Sequence, residues 1–245
     1  MNAVSNLPDL TLRYFDCRGR AQYLRYYLRA RGIRFTDERV PLNPGFAEWM
    51  ALKPDSSRSG PFGKLPILHW GDTLIAETPV IHDWLQHKSG DAARLSEEEQ
   101  LQHAMLVSSC RGELLTPLGT LLYCDLSYEG VDLETAARSA LPRLQAHLQA
   151  MEGALAQWQW HGRLLQRGTM LVDCMLWDLL HSADLMFGSA LQLDGLPALH
   201  LHYTACPGRE HFLALLSEYP EATYTARPNE ADAVARIRAA VNAAA

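Results

Sequence analysis

Leu12-Arg13-Tyr14-Phe15-Asp16-Cys17-Arg18-Gly19-Arg20 is the stretch on which the fold turns. Leu10 to Phe15 reads as a short apolar strand, Asp16 to Gly19 as a turn, and Arg20 to Arg31 as a helix with Leu24, Tyr27 and Leu28 on one face. A tyrosine closing the strand therefore faces the start of a helix. Unpaired backbone N–H groups and the positive end of the helix dipole favour an anion there. Tyr14 is placed to donate a hydrogen bond to a group that becomes negative, with Arg20 in the first helical turn as a fixed cation.

Outward from this stretch the pattern alternates. A second strand fits residues 34 to 40, and a short helix fits Phe46 to Leu52. Residues 53 to 61 are rich in Pro, Ser and Gly and read as a loop. Leu65 to Trp70 and Thr73 to Ala76 are strands joined by a tight Gly71-Asp72 turn, and a helix from Thr78 to Gln86 closes the unit. The order βαβαββα describes a small open sheet with helices packed on it. Residues 88 to 96 form a linker, after which the chain is helical throughout. Ser96 caps an acid-rich start, Glu97-Glu98-Glu99, of a helix running to about Cys124. Further helices fit Leu133 to Trp158, Leu171 to Met186 (apolar almost all round), Leu196 to Ala205 and Arg209 to Tyr219. A last helix fits 229 to 243, with Asn229 as cap and Val234, Ile237 and Val241 in a stripe; an Ala-rich frayed tail is the plainer expectation, a lid over a pocket the sharper one.

Bulk composition bounds the function. With 245 residues the chain can bury a large core, and a formal charge of −6 argues against nucleic acid or an anionic membrane as partner. Five cysteines without a C-x-x-C speak against a disulfide framework or a paired-thiol redox site. No signal-peptide core and no membrane-length apolar run is present, so a cytoplasmic setting is expected. His200, His202, Cys206 and His211 match no standard zinc spacing, and no metal is expected. Cys17 lies beside Tyr14 in sequence; lining a pocket is the expected role, a reactive thiol the sharper alternative.

Four separated pieces point to one site. Besides Tyr14 with Arg20, Trp49 and Lys53 lie one helical turn apart and can hold a carboxylate. Pro61-Phe62-Gly63-Lys64-Leu65-Pro66 leads into the third strand, where a cis Leu65–Pro66 bond would leave the Leu65 main chain free to pair with a peptide-like ligand. Glu77 and Thr78 open a helix, suited to an ammonium and a carboxylate respectively. The composite fits a small zwitterionic peptide with two carboxylates, an amine and a thiol near Tyr14.

Tyr-Phe-x-x-Arg-Gly-Arg, Trp-x-x-x-Lys, Pro-Phe-Gly-x-Leu-Pro and an acidic residue before Thr, in this order, resemble the cytosolic glutathione S-transferases, particularly the tyrosine-type, sigma-like classes. The resemblance implies an α+β, thioredoxin-like glutathione-binding domain over residues 1–88 and an all-α domain over 97–245 that contributes a hydrophobic substrate pocket. It implies that Tyr14 stabilises the glutathione thiolate for attack on a hydrophobic electrophile, with Arg20 in support. Trp49 and Lys53 would take the glycyl carboxylate; Lys64, Leu65 and Pro66 the cysteinyl portion; Glu77 and Thr78 the γ-glutamyl end. Phe62 would be the aromatic key of a homodimer. Glutathione would be a co-substrate, with no cofactor. Lys64 and Glu77 stand where the family usually has Gln, Ser109 where a partner-facing aspartate is common, and Met170 where a Ser or Thr usually opens a capping box with Asp173. The alternatives are a binding protein on the same fold with little turnover, or a glutathione-dependent isomerase or peroxidase.

Overall fold

The computed structural model describes residues 8–42, 46–127, 132–160, 168–219, 224 and 230–243. The chain divides into two compact units: Met1–Ser96 with Glu210–Ala226, and Glu97–Arg209 with Arg227–Ala245. The break at Ser96 falls at the linker, and the stretch Glu210–Ala226 groups with the first unit.

In the first unit β1 (Leu10–Phe15), a 3₁₀ turn (Gly19–Ala21), α1 (Gln22–Ala30) and β2 (Thr36–Val40) form a parallel crossover. Then come α2 (Ala47–Leu52), α3 (Ser56–Ser59), the antiparallel pair β3 (Ile67–Trp70) and β4 (Thr73–Ala76), and α4 (Thr78–Lys88). The sheet order is β2-β1-β3-β4, with β3 antiparallel to β1. Its strands are short, and Leu12, Ile67 and Leu68 are fully buried beside Leu24 and Leu28 of α1. One departure from the sequence reading is α3: Asp55 accepts hydrogen bonds from the Ser57 N–H and hydroxyl, which nucleates a helical turn inside the expected loop.

Helix α1 is buried over residues 22 to 28, well beyond the expected single face. Two contacts account for this. Phe212 of α10 (Arg209–Glu218) packs on Tyr26 with centroids 4.8 Å apart, and the Tyr27 hydroxyl donates to buried Asp91 at 2.6 Å. Burial, then the Asp91 charge, hold the Tyr27 phenol well above its ordinary pKa, so it stays protonated as the donor. Asp91 also pairs with Arg31 at 3.0 Å, which ties the linker to α1.

The second unit is helical. Helix α5 (Glu97–Ser109) passes through a π-helical turn (Cys110–Leu115) into α6 (Thr116–Ser127). Pro117 supplies the reason: without an N–H it cannot bond the Glu113 carbonyl, and its ring crowds that carbonyl, so the preceding turn widens. Helix α7 (Leu133–Gln157) is capped by Asp132, whose carboxylate accepts from the Thr135 N–H at 2.9 Å. The Thr135 hydroxyl donates to the same carboxylate at 2.7 Å, and this bond with that from the N–H pulls the Asp132 carboxyl down to about 2. Helix α8 (Leu171–Phe187) is the buried centre expected from its composition. Asp173 reaches back to the Met170 N–H at 3.0 Å, so the carboxylate half of the capping box is made without a hydroxyl at its first position. Glu152 of α7 accepts from the N–H groups of Ala198 (2.8 Å) and Leu199 (2.9 Å), capping α9 (Pro197–Ala205) from outside that helix. Helix α11 (Glu230–Asn242) packs on α7 and α8 through Ala233, Ile237 and Val241, with Arg236 paired bidentately to Glu134. Glu230–Asn242 is thus a packed helix; its expected Asn229 cap lies outside the described residues.

Candidate functional site

Strand register gathers the site. Arg13 pairs with Ile67 and Ile67 with Ala76, and Tyr14, Pro66 and Glu77 each follow or precede these rungs by one residue. Tyr14, Pro66 and Glu77 therefore share one end of the sheet, where β1 and β4 finish and β3 begins. The Leu65–Pro66 bond is cis. Glu77 holds φ +68°, a left-handed conformation costly for a side chain of its size, immediately before α4. Thr78, in the first turn of α4, is buried.

The turn after Tyr14 is shaped around its hydroxyl. Tyr14 is buried, and its oxygen accepts a hydrogen bond from the Arg20 N–H at 3.1 Å. Gly19 has φ +39°, and a Cβ there would lie 2.5 Å from the Tyr14 hydroxyl. Only glycine fits on both counts. What Arg20 brings to Tyr14 is thus a main-chain N–H; its side chain is exposed.

A different arginine lies against the tyrosine ring. Arg25, fully buried, has its guanidinium 5.8 Å from the Tyr14 ring centroid. It donates to Asp37 (3.0 Å) and to the carbonyls of Cys17 (2.7 Å) and Phe15 (3.3 Å), so it fastens both ends of the turn. Sequence reasoning passed over Arg25, which there reads as one arginine of an amphipathic helix. A helix with so few outward positions was the available signal.

The second piece joins through aromatic packing. The Phe15 ring lies 5.4 Å from both Tyr14 and Trp49, edge to face with each. Lys53 follows one turn later, its N–H bonded to the Trp49 carbonyl at 2.8 Å. A Cβ on Gly63 would sit 3.7 Å from Lys53 Cε, so the lysine stem runs along the Phe62–Lys64 turn. The Lys64 N–H bonds Ser59 O at 2.9 Å, and Arg13 holds the Arg58 carbonyl at 2.8 Å. Lys53 and Lys64 are exposed, Leu65 is half-buried and Phe62 is 63% exposed. The structure thus brings Trp49, Lys53, Gly63 and Lys64 into one wall and Tyr14, Pro66 and Glu77 onto one sheet end.

Other candidates resolve differently. Cys17 is buried in the turn, and burial pushes the Cys110 thiol up to about 12 and the Cys206 thiol higher still, the reverse of an activated nucleophile for those two. Among the described residues no group of His, Cys, Asp and Glu could hold a metal ion. His202 faces the Asp173 carbonyl at 3.2 Å, whereas His200 pairs with Asp194 at 2.9 Å. Ser109 bonds His147 at 2.8 Å within the second unit. Among the described residues no helix is long and apolar enough to cross a membrane.

With this geometry in hand, comparison with known proteins gives a consistent answer. Probable glutathione S-transferase 7 of Caenorhabditis elegans is 27% identical over 190 residues, 77% of this chain and 86% of that one. The sigma class GST of Fasciola hepatica superposes with a TM-score of 0.67 at 19% identity, over 86% of this chain and 95% of that structure. The chain is similar in sequence to glutathione S-transferases and shares their fold. The βαβαββα unit is the thioredoxin-like part of such a transferase fold, and the helical unit its all-α part. Hematopoietic prostaglandin D synthase of Gallus gallus is 34% identical over 100 residues, 41% of this chain and 46% of that one. That match spans under half the length of that synthase. The glutathione S-transferase of Ascaris lumbricoides superposes with a TM-score of 0.66 at 24% identity, over 85% of this chain and 97% of that structure. No family model matches.

Proposed function

We propose that this chain is a glutathione transferase in which Tyr14 stabilises the glutathione thiolate for attack on a hydrophobic electrophile. The observation that carries the reading is the Tyr14 hydroxyl, which accepts the Arg20 N–H while sharing a sheet end with Pro66 and Glu77. A phenol has a proton to donate besides its acceptor lone pairs, so accepting from Arg20 is compatible with donating to sulfur and strengthens that donation. The helix start then acts on the thiolate through Tyr14. A free thiol ionises near pKa ~8.5, and lowering this by two units requires roughly 2.7 kcal/mol. A charge-assisted hydrogen bond contributes about 1.5–3 kcal/mol and a helix end about 0.3–1 kcal/mol, which is enough. The thiolate forms the new C–S bond, and the electrophile's leaving group departs with its electron pair.

The remaining roles follow the wall and the sheet end. Trp49 and Lys53 bind the glycyl carboxylate, Lys64, Leu65 and Pro66 the cysteinyl portion, and Glu77 with Thr78 the amine and carboxylate of the γ-glutamyl end. Exposed Phe62 is the contact of a homodimer, and the protein works in the cytoplasm with glutathione as co-substrate and no cofactor. A glutathione-dependent isomerase is a second reading, favoured by the relatives named hematopoietic prostaglandin D synthase in Gallus gallus and Rattus norvegicus. The test is retention on immobilised glutathione together with conjugation of an aromatic halide. Binding with conjugation is expected; binding without it points to the isomerase or a binding protein, and no binding contradicts the assignment.

A further inference from the structure

The first unit includes a stretch that arrives from far along the sequence. Phe212 packs on Tyr26, Glu218 pairs with Arg29, and the Arg39 guanidinium lies 3.7 Å from the Tyr219 ring centroid. These contacts lead to Tyr224, which is only 3% exposed. Its carbonyl accepts the Gly19 N–H at 2.8 Å, and the Arg18 guanidinium stands 5.6 Å from its ring centroid.

Gly19 and Arg20 are adjacent, and their N–H groups go to different tyrosines: Gly19 to the Tyr224 carbonyl, Arg20 to the Tyr14 hydroxyl. The joint between those two amides is a glycine at φ +39°, the position of the turn with the least intrinsic restraint. An anchor on the Gly19 amide therefore limits how far the Arg20 amide can swing from Tyr14. We infer that Tyr224 is a positioning residue for the Tyr14 hydroxyl, acting through Gly19 from more than 200 residues away in sequence. This rests on the reading of Tyr14 as the thiolate donor. Tyr224 acts on the acidity of the thiol rather than on the grip on glutathione, because the wall formed by Trp49, Lys53 and Lys64 does not pass through this turn.

The experiment compares wild type, Tyr224→Ala, Tyr224→Phe and Arg18→Met in the full chain. Amide exchange at Gly19 and the pH titration of the thiolate absorbance of bound glutathione are the readouts. In Tyr224→Ala, Gly19 exchange accelerates by about tenfold or more as its anchor loosens. The bound thiol then titrates about half a pH unit higher, a roughly threefold fall in its ionisation constant, with KM for glutathione within about twofold of wild type. Tyr224→Phe keeps the ring over Arg18 and restores both readouts. Arg18→Met, which retains bulk and removes the charge, shifts both in the same direction by less, and decides the matter if Tyr224→Ala does not fold. Unchanged Gly19 exchange, or faster exchange with an unchanged thiol titration, overturns the inference. If wild type itself generates no glutathione thiolate, the transferase reading fails separately. The inference is then decided on the Tyr14 phenol, titrated by difference from Tyr14→Phe: an upward shift in Tyr224→Ala supports it and no shift overturns it.

Discussion

The end of the sheet in the first unit and the central helix of the second are built on opposite terms. At the sheet end the backbone is forced: Gly19 sits at φ +39° under a phenol, Glu77 at φ +68°, and a buried arginine fastens the turn after β1 to β2. Helix α8 is regular and apolar, and its buried Asp173 caps its own start. One region holds groups in conformations that the rest of the fold must enforce; the other supplies apolar burial and has no such demand. Chemistry is therefore expected to fail from small changes at the sheet end, and stability from large-to-small changes in α8.

Arg25→Ala tests the first half most severely. It removes a fully buried guanidinium that bonds Asp37 and the carbonyls of Cys17 and Phe15, and is expected to cost about 4 kcal/mol by denaturant unfolding. Leu176→Ala removes a fully buried side chain from α8 and is expected to cost about 3 kcal/mol. The contrast lies in a second readout: Arg25→Ala shifts the pH profile of conjugation in whatever protein folds, and Leu176→Ala leaves that profile in place. A common profile for both would erase the distinction between the regions. Gly19→Ala comes next, because its Cβ displaces the Tyr14 hydroxyl. Positive φ alone costs about 1 kcal/mol in stability, while conjugation falls by about tenfold or more as the donor moves. Equal, small losses in both would contradict the geometry of the turn.

The smallest effect belongs to the second unit. Burial holds His147 below its ordinary pKa. In acid the unfolded chain then binds a proton that the folded chain resists, so stability contributed by neutral His147 is present above the ordinary histidine value of 6.5 and falls as pH drops through it. His147→Gln flattens that slope in urea unfolding followed from pH 7.5 to 5, and an equally steep slope in the variant would remove His147 as its source.

The same contrast decides what the sequence made legible. The strand–turn–helix around Tyr14, the β3–β4 pair and the long helices follow from periodicity and turn residues, because those signals are local. The π turn before Pro117 was missed because a proline early in an apolar helical pattern does not say whether the ladder breaks, kinks or widens. Tyr14, Pro66 and Glu77 were legible as separate motifs; their shared sheet end depends on register between strands, which no single segment carries. Arg25 and Tyr224 were hidden for a stronger reason. Tyr224 meets Gly19 through its carbonyl, which any residue type possesses, and Arg25 holds the carbonyls of Phe15 and Cys17, so the residue types at the turn give no sign of either contact.

The most direct test of the account is the ultraviolet absorbance of the glutathione thiolate bound to wild type and to Tyr14→Phe, followed against pH. Thiolate at neutral pH in wild type, with glutathione still bound but titrating about two units higher in Tyr14→Phe, is the predicted result, equivalent to roughly 2.7 kcal/mol. Superimposable titrations with both proteins saturated would contradict the claim that Tyr14 is the group around which this end of the sheet is organised.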